Sequence, residues 1–195
     1  MKRRFALLSC SAVLLASLAT GASVAHAAPA RSLLPPLPSG WTDYGPVTLS
    51  LKVSHKCLDA DTTGGGVNGN KVQIWDCNDM TQQWWEVYKS NYTGGYAFVN
   101  VKYSKCLDQD TNTYGQNGGK VQLWDCNFYS QQQWLWNPQP KSFPATTDWY
   151  ALEMQGSVLH CLDADSTHNY DNGTKVQQWW CYLNDNQRWH SWPAG

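Results

Sequence analysis

An aspartate, a glutamine fourteen residues further on and a tryptophan two beyond it recur three times in this 195-residue chain: Asp59, Gln73 and Trp75; Asp108, Gln122 and Trp124; Asp163, Gln177 and Trp179. A carboxylate accepts hydroxyl protons, a primary amide donates and accepts, and an indole offers a flat apolar face. Together they suit a shallow site for a ligand with hydroxyl edges and a C–H face. The aspartates also have a structural reading, since Asp commonly bonds the amides of its own turn. The recurring Gln and Trp beside them favour the ligand role in at least one copy. Asp61, Asp110 and Asp165, two residues on, read as turn-stabilising. A calcium ion shared by the two aspartates of a copy suits carboxylate chemistry but is the lesser reading.

These triads belong to a longer repeat. Segments starting at Cys57, Cys106 and Cys161 align without gaps, and each carries Cys-Leu-Asp, Asn-Gly, Lys-Val-Gln, a Trp, a second Cys and a final Gln-x-Trp. Agreement at so many positions means three equivalent structural units. Within each copy the cysteines lie 20 residues apart, which predicts the bridges Cys57 to Cys77, Cys106 to Cys126 and Cys161 to Cys181. These six cysteines, the seventh being Cys10 near the start of the chain, are an even number at regular spacing, which also implies an oxidising compartment.

The elements that must position the triads read as strands. Asn68-Gly69, Asn117-Gly118 and Asn172-Gly173 are hairpin signals. After them Val72 and Ile74 alternate with Gln73 and Trp75, as Val121 and Leu123 do with Gln122 and Trp124, so one face is core and the other carries the amide and the ring. No segment sustains a helical period, and the fold class is all-β. In the third copy Gln178 occupies the core-face position of Ile74 and Leu123, and Trp180, two residues on, is expected to refill that face.

Lys2, Arg3 and Arg4 followed by an apolar, small-residue stretch ending at Ala25-His26-Ala27 read as a secretory leader over residues 1–27, removed together with Cys10. Residues 28–40, with Pro29, Pro35, Pro36 and Pro38, read as a flexible segment, and 41–195 as the folded domain. Without the leader the chain holds 11 basic against 15 acidic groups, so a phosphate-tracking surface for nucleic acid is not expected, nor is membrane insertion. His55, His160, His168 and His190 show no metal-ligand spacing, and no cofactor is implied.

Three copies of Cys-x-Asp, Val-Gln-x-Trp, Cys and Gln-x-Trp resemble the ricin-type lectin family, including the carbohydrate-binding modules of bacterial xylanases and arabinanases. The resemblance covers about 41–195 and implies a β-trefoil of three four-stranded units. It implies a secreted, non-catalytic lectin, expected to be a monomer, with up to three sites for galactoside, xylan or arabinan-type carbohydrate. The matching residues are the three triads and the position before the final Gln-x-Trp, where the family usually has Asn. The third copy keeps Asn186; the others have Gln82 and Gln131, one methylene longer. Tyr182 stands where the others have Asn78 and Asn127 and is an additional candidate contact. Trp85, Trp134 and Trp189 are expected in the core near the threefold axis, with Gln83, Gln132 and Gln187 satisfying buried backbone groups.

Two other readings compete. A protein-binding trefoil, such as a protease inhibitor or a toxin's targeting subunit, would use the non-repeated insertion from Pro138 to Asp148. A small glycoside hydrolase would need a carboxylate pair, yet every recurring Asp recurs threefold whereas a catalytic pair should break the repeat. The non-repeated Glu86 and Glu153 show no second acid beside them.

Overall fold

The computed structural model describes residues 33–137, 149–156 and 159–195. The expected leader lies outside the described residues, as does the insertion on which the inhibitor reading rested. Among the described residues no helix is long and apolar enough to cross a membrane.

The described residues form twelve strands, four to each repeat. The first repeat holds β1 (Trp41–Leu51), β2 (Cys57–Ala60), β3 (Asn70–Trp75) and β4 (Trp85–Ser90). The second holds β5 (Tyr96–Asn100), β6 (Lys105–Gln109), β7 (Gly119–Trp124) and β8 (Trp134–Asn137). The third holds β9 (Ala151–Met154), β10 (His160–Ala164), β11 (Val176–Trp180) and β12 (Trp189–Pro193). The outer strands close a six-stranded barrel: β1 pairs with β4 and β12, β5 with β4 and β8, and β8 with β9. Reciprocal bonds between Tyr150 and Trp189 complete the ring.

The inner strands form three antiparallel hairpins, β2–β3, β6–β7 and β10–β11, which meet one another through β3–β7, β7–β11 and the Gln73–Lys175 bridge. This is a β-trefoil, as the resemblance implied. The three predicted disulfides are present, each tying the start of a hairpin to the end of its second strand with Cα atoms 5.0 to 5.1 Å apart.

Trp85, Trp134 and Trp189 are fully buried in one continuous core. Each indole N–H donates to the carbonyl of the leucine after the first cysteine: Leu58, Leu107 and Leu162, at 3.0, 3.2 and 3.0 Å. Burial of a Trp without such a partner would strand its one donor. Contact with the trefoil begins before Trp41. Leu34 packs against Tyr88, Ala97, Val99 and Cys106, and the Tyr88 hydroxyl donates to the Pro35 carbonyl.

The Asn-Gly pairs differ from expectation. The hairpins are closed by longer loops, with Asn-Gly at the end of each just before the second strand, and the glycines take positive φ values of +87°, +79° and +91°. Their partners lie in another repeat: Gly69 N–H donates to Leu123 O, Gly118 to Gln178 O and Gly173 to Ile74 O. Local turn propensity is used here to bring the tip of one repeat against the next.

Candidate functional site

Strand register sets the first contact of the site. Asp59 lies opposite Gln73, Asp108 opposite Gln122 and Asp163 opposite Gln177. In each pair the glutamine amide donates to carboxylate Oδ1 at 3.0 Å. A second glutamine, from the 3-10 turns Thr81–Gln83, Ser130–Gln132 and Asp185–Gln187, donates to Oδ2. The same side chains, Gln83, Gln132 and Gln187, accept from the backbone N–H of Asn78, Asn127 and Tyr182 and donate to the carbonyls of Asp76, Asp125 and Trp180. They satisfy backbone groups as expected, and they also clamp the site carboxylate, which the sequence reading missed.

All three aspartates are 3% exposed. Burial pushes each carboxyl up, against the lowering effect of the glutamine donors, and Asp163 reaches about 6. Asp61 and Asp165 stabilise turns as read from sequence. Burial raises them, but the backbone and hydroxyl of Thr63 or Thr167 and the nearby Lys71 or Lys175 bring both below the usual value. Asp110 likewise accepts from the Asn112 backbone.

Beside each clamped carboxylate an indole faces outward. Trp75 and Trp124 are 40% exposed, and Trp179 is half-buried. Each triad lines an open cleft, of about 400 Å³ in the first repeat, 510 Å³ in the second and 540 Å³ in the third. Gln82, Gln131 and Asn186 line the same clefts but are held differently. Asn78 Oδ1 and Asn127 Oδ1 take the amides of Gln82 and Gln131 at 3.4 and 3.2 Å. Tyr182 offers no such acceptor, and Asn186 donates instead to Asp163 Oδ2 at 2.8 Å and to the Ala164 carbonyl. Lys71, Lys120 and Lys175 border the clefts too; their recurrence in Lys-Val-Gln was the available signal.

Each cleft is completed by another repeat. Asn172 accepts from Asp76 N–H at 2.8 Å, donates to Asp76 Oδ2 at 2.7 Å and accepts from Lys56, which also pairs with Asp76. Asn68 makes the same contacts with Asp125 and Lys105. A β-carbon at Gly173 would lie 3.7 Å from the Trp75 ring, and one at Gly118 equally near Trp179, so both turns sit in contact distance of an indole; glycine is favoured there by the positive φ. In the third repeat Asn117 accepts from Trp180 N–H.

That corner corrects the expectation for Trp180. It is 40% exposed and lies edge-on to His160, 5.7 Å between ring centroids, where the other repeats place the Lys56–Asp76 and Lys105–Asp125 pairs. Gln178 is fully buried and needs no refill. Its side-chain Oε1 accepts from Gly115 N–H at 2.9 Å, its Nε2 donates to Lys120 O at 3.2 Å, and Gly119 leaves it room.

Of the non-repeated acids, Glu86 is buried in β4, and Glu153 accepts from Asn137. Glu153, Cys161 and Cys181 bring ligand-type atoms within 4.8 Å, but the two sulfurs are joined in a disulfide and are not thiolates.

The chain matches the model of the ricin-type beta-trefoil lectin domain over residues 45–159. No curated protein matches it by sequence. Among solved structures it is similar to the designed 3-fold symmetric protein ThreeFoil, at 23% identity and TM-score 0.64 over 75% of this chain and 97% of that one. It is similar to the ricin B-like lectin of Macrolepiota procera in complex with lactose, at 14% identity and TM-score 0.59 over 82% of this chain and 99% of that one. It is also similar to an exo-beta-1,3-galactanase from Clostridium thermocellum, at 22% identity and TM-score 0.64 over 80% of this chain but 31% of the enzyme. These likenesses are of fold, whereas the domain model spans more than half of the chain and two of its three repeats. The chain belongs to the ricin-type beta-trefoil lectin family, whose members bind carbohydrate.

Proposed function

We propose that the protein is a secreted, non-catalytic lectin that holds sugar residues of a polymeric or clustered glycan in up to three clefts. The observation that carries this reading is the threefold recurrence of a buried carboxylate, clamped by two amides, beside an outward indole. Sugar hydroxyls would use the remaining lone pairs of Asp59, Asp108 and Asp163 and the free ends of Gln73, Gln122 and Gln177. The C–H face would lie on Trp75, Trp124 or Trp179, with Gln82, Gln131 or Asn186 at the hydroxyl edge. Clamping matters because a carboxylate already oriented by the protein loses little freedom when a hydroxyl arrives.

Three disulfides support an extracellular setting, in keeping with the leader-like first 27 residues. The non-catalytic reading is supported by the roles of the recurring acids: one aspartate of every repeat is held by glutamines, and the one two residues on by its own turn. Shallow clefts bury little of one sugar, so strength comes from two or three engaged together on one polymer.

Retention on insoluble xylan, arabinan and galactan, with elution by the free saccharide, tests the reading. Trp75→Ala, Trp124→Ala and Trp179→Ala are each expected to lower retention partially and in pairs severely, with the circular dichroism unchanged. Retention unaffected by replacing Asp59, Asp108 and Asp163 together would overturn it.

A further inference from the structure

The third cleft is not a copy of the other two. Beyond Asp163, Gln177, Trp179 and Asn186 its wall continues over Tyr182, Asn184 and Asp185 to Val53, which follows β1 of the first repeat. The first cleft ends at Asn78 and Gln82, and the second at Asn127 and Gln131. There each asparagine is folded back on its own turn: Asn78 Oδ1 accepts from Met80 N–H and Asn127 Oδ1 from Tyr129 N–H. The Tyr182 backbone N–H donates to Gln187 Oε1 and to the Trp180 carbonyl, its side chain makes no hydrogen bond among the described residues, and the residue is 62% exposed.

Val53 reaches this wall because the 3-10 turn Asp185–Gln187 packs beside it. Val53 N–H donates to Asp185 O, and Lys52 bonds both the Arg188 carbonyl and the Asp185 carboxylate. The matching backbone contacts elsewhere are Val101 N–H to Trp84 O and Gln155 N–H to Gln133 O, which put Lys102 and Gly156 at the position of Val53. Neither lines a triad cleft. Among the described residues, only the third repeat therefore combines an exposed ring, an apolar neighbour and two polar side chains along the wall of a triad cleft.

We propose that this wall is a second sugar subsite. The third cleft then takes a disaccharide or a stretch of longer glycan, the first sugar on Trp179 and Asp163 and the next against Tyr182 and Val53, with Asn184 and Asp185 meeting its hydroxyls. The first and second clefts take one residue each. The assignment rests on the carbohydrate-binding reading above and makes Tyr182 the residue that sets preference for chain length.

The test uses the full chain carrying Trp75→Ala and Trp124→Ala, so that the third cleft alone reports. Affinities for galactose against lactose and for xylose against xylobiose are measured by calorimetry, with and without Tyr182→Asn, the residue type found at the equivalent positions. The expected result is a disaccharide preference that falls roughly three- to tenfold with Tyr182→Asn, while the monosaccharide affinity moves less than about twofold. Equal affinity for one and two sugars in the parent, or an equal loss for both on substitution, would overturn the second subsite and leave the lectin reading standing. No binding of any saccharide by the unsubstituted chain would instead overturn the lectin reading, and this assignment with it.

Discussion

Lowering the pH from 7 to 5 is expected to weaken the third cleft through Asp163. Its carboxyl is 3% exposed, and burial raises it to about 6 despite three amide donors, Gln177, Gln187 and Asn186. With that midpoint it is about nine-tenths ionised at pH 7 and about one-tenth at pH 5. A neutral carboxyl in this clamp has less acceptor capacity for a sugar hydroxyl, so affinity should drop by about tenfold, or roughly 1.4 kcal/mol. Stability moves the other way. A carboxyl whose folded pKa lies above its unfolded value costs stability when ionised, here roughly 3 kcal/mol at pH 7, and that cost is relieved as the pH falls from about 6 towards about 4. The lowered Asp61, Asp76, Asp125 and Asp165 act only below the ordinary carboxylate value and leave this window alone. Calorimetric titration of lactose or xylobiose at pH 7, 6 and 5, on the chain with Trp75→Ala and Trp124→Ala, reads the binding arm. Thermal unfolding over the same range reads the other; Asp163→Asn should remove the binding dependence and lessen that of stability, to which the raised Asp59 and Asp108 also contribute. Affinity flat between pH 7 and 5, or a carboxyl midpoint below about 4.5 by NMR, would refute the reasoning.

Asn172→Ala, in the third repeat, should weaken binding in the first cleft several-fold, visible as a shifted Trp75 indole resonance, because it removes the three contacts to Asp76 and Lys56. Trp180→Ala should cost at most about 1 kcal/mol in denaturant unfolding, whereas Trp189→Ala, which empties a core site and strands the Leu162 carbonyl, should cost about 3–5 kcal/mol. Gln178→Ala should cost about 1–2 kcal/mol by the same measurement, since Gly115 N–H loses its partner while Lys120 O keeps the Asp110 N–H. Replacing Cys106 and Cys126 together by serine should cost about 3 kcal/mol in the chain-entropy model, for a bridge closing a 20-residue separation.

What the sequence made legible is whatever repeats within one unit. Cysteine spacing, the Val-x-Ile alternation and the Asp, Gln and Trp triads depend on local register, and period two in a strand states which side chains share a face. It does not state which neighbour that face meets. Gln178 and Trp180 share a parity, yet Gln178 lies deep between hairpins and Trp180 at the outer end, opposite His160. The charged Asp76 and Asp125 at the equivalent positions already marked that end as solvent-facing. The change from Lys56 and Lys105 to His160 in step with the change to Trp180 marked the two as partners. The Asn-Gly pairs misled for the same reason: propensity identified a turn, and the turn's partner lies about a hundred residues away in the case of Asn172 and Asp76.

The clefts are shared around a closed ring. The third repeat's turn finishes the first cleft, the first repeat's turn finishes the second, and the second repeat's turn finishes the third. An isolated hairpin is marginally stable in water, and one carrying a buried aspartate would have no second surface to exclude solvent from it. The β1–β12 pairing joins the two ends of the described domain and closes the barrel. The Asn172-Gly173 turn is fixed to the first repeat by its own bonds, Gly173 N–H to Ile74 O, Ile74 N–H to Thr174 O and the Asn172–Asp76 pair, so the first cleft is complete only when the third repeat is in place. Site geometry is in this way tied to global folding rather than to local loop order, which suits the proposed function, in which weak sites stay open and pre-oriented while a polymer engages several of them at once.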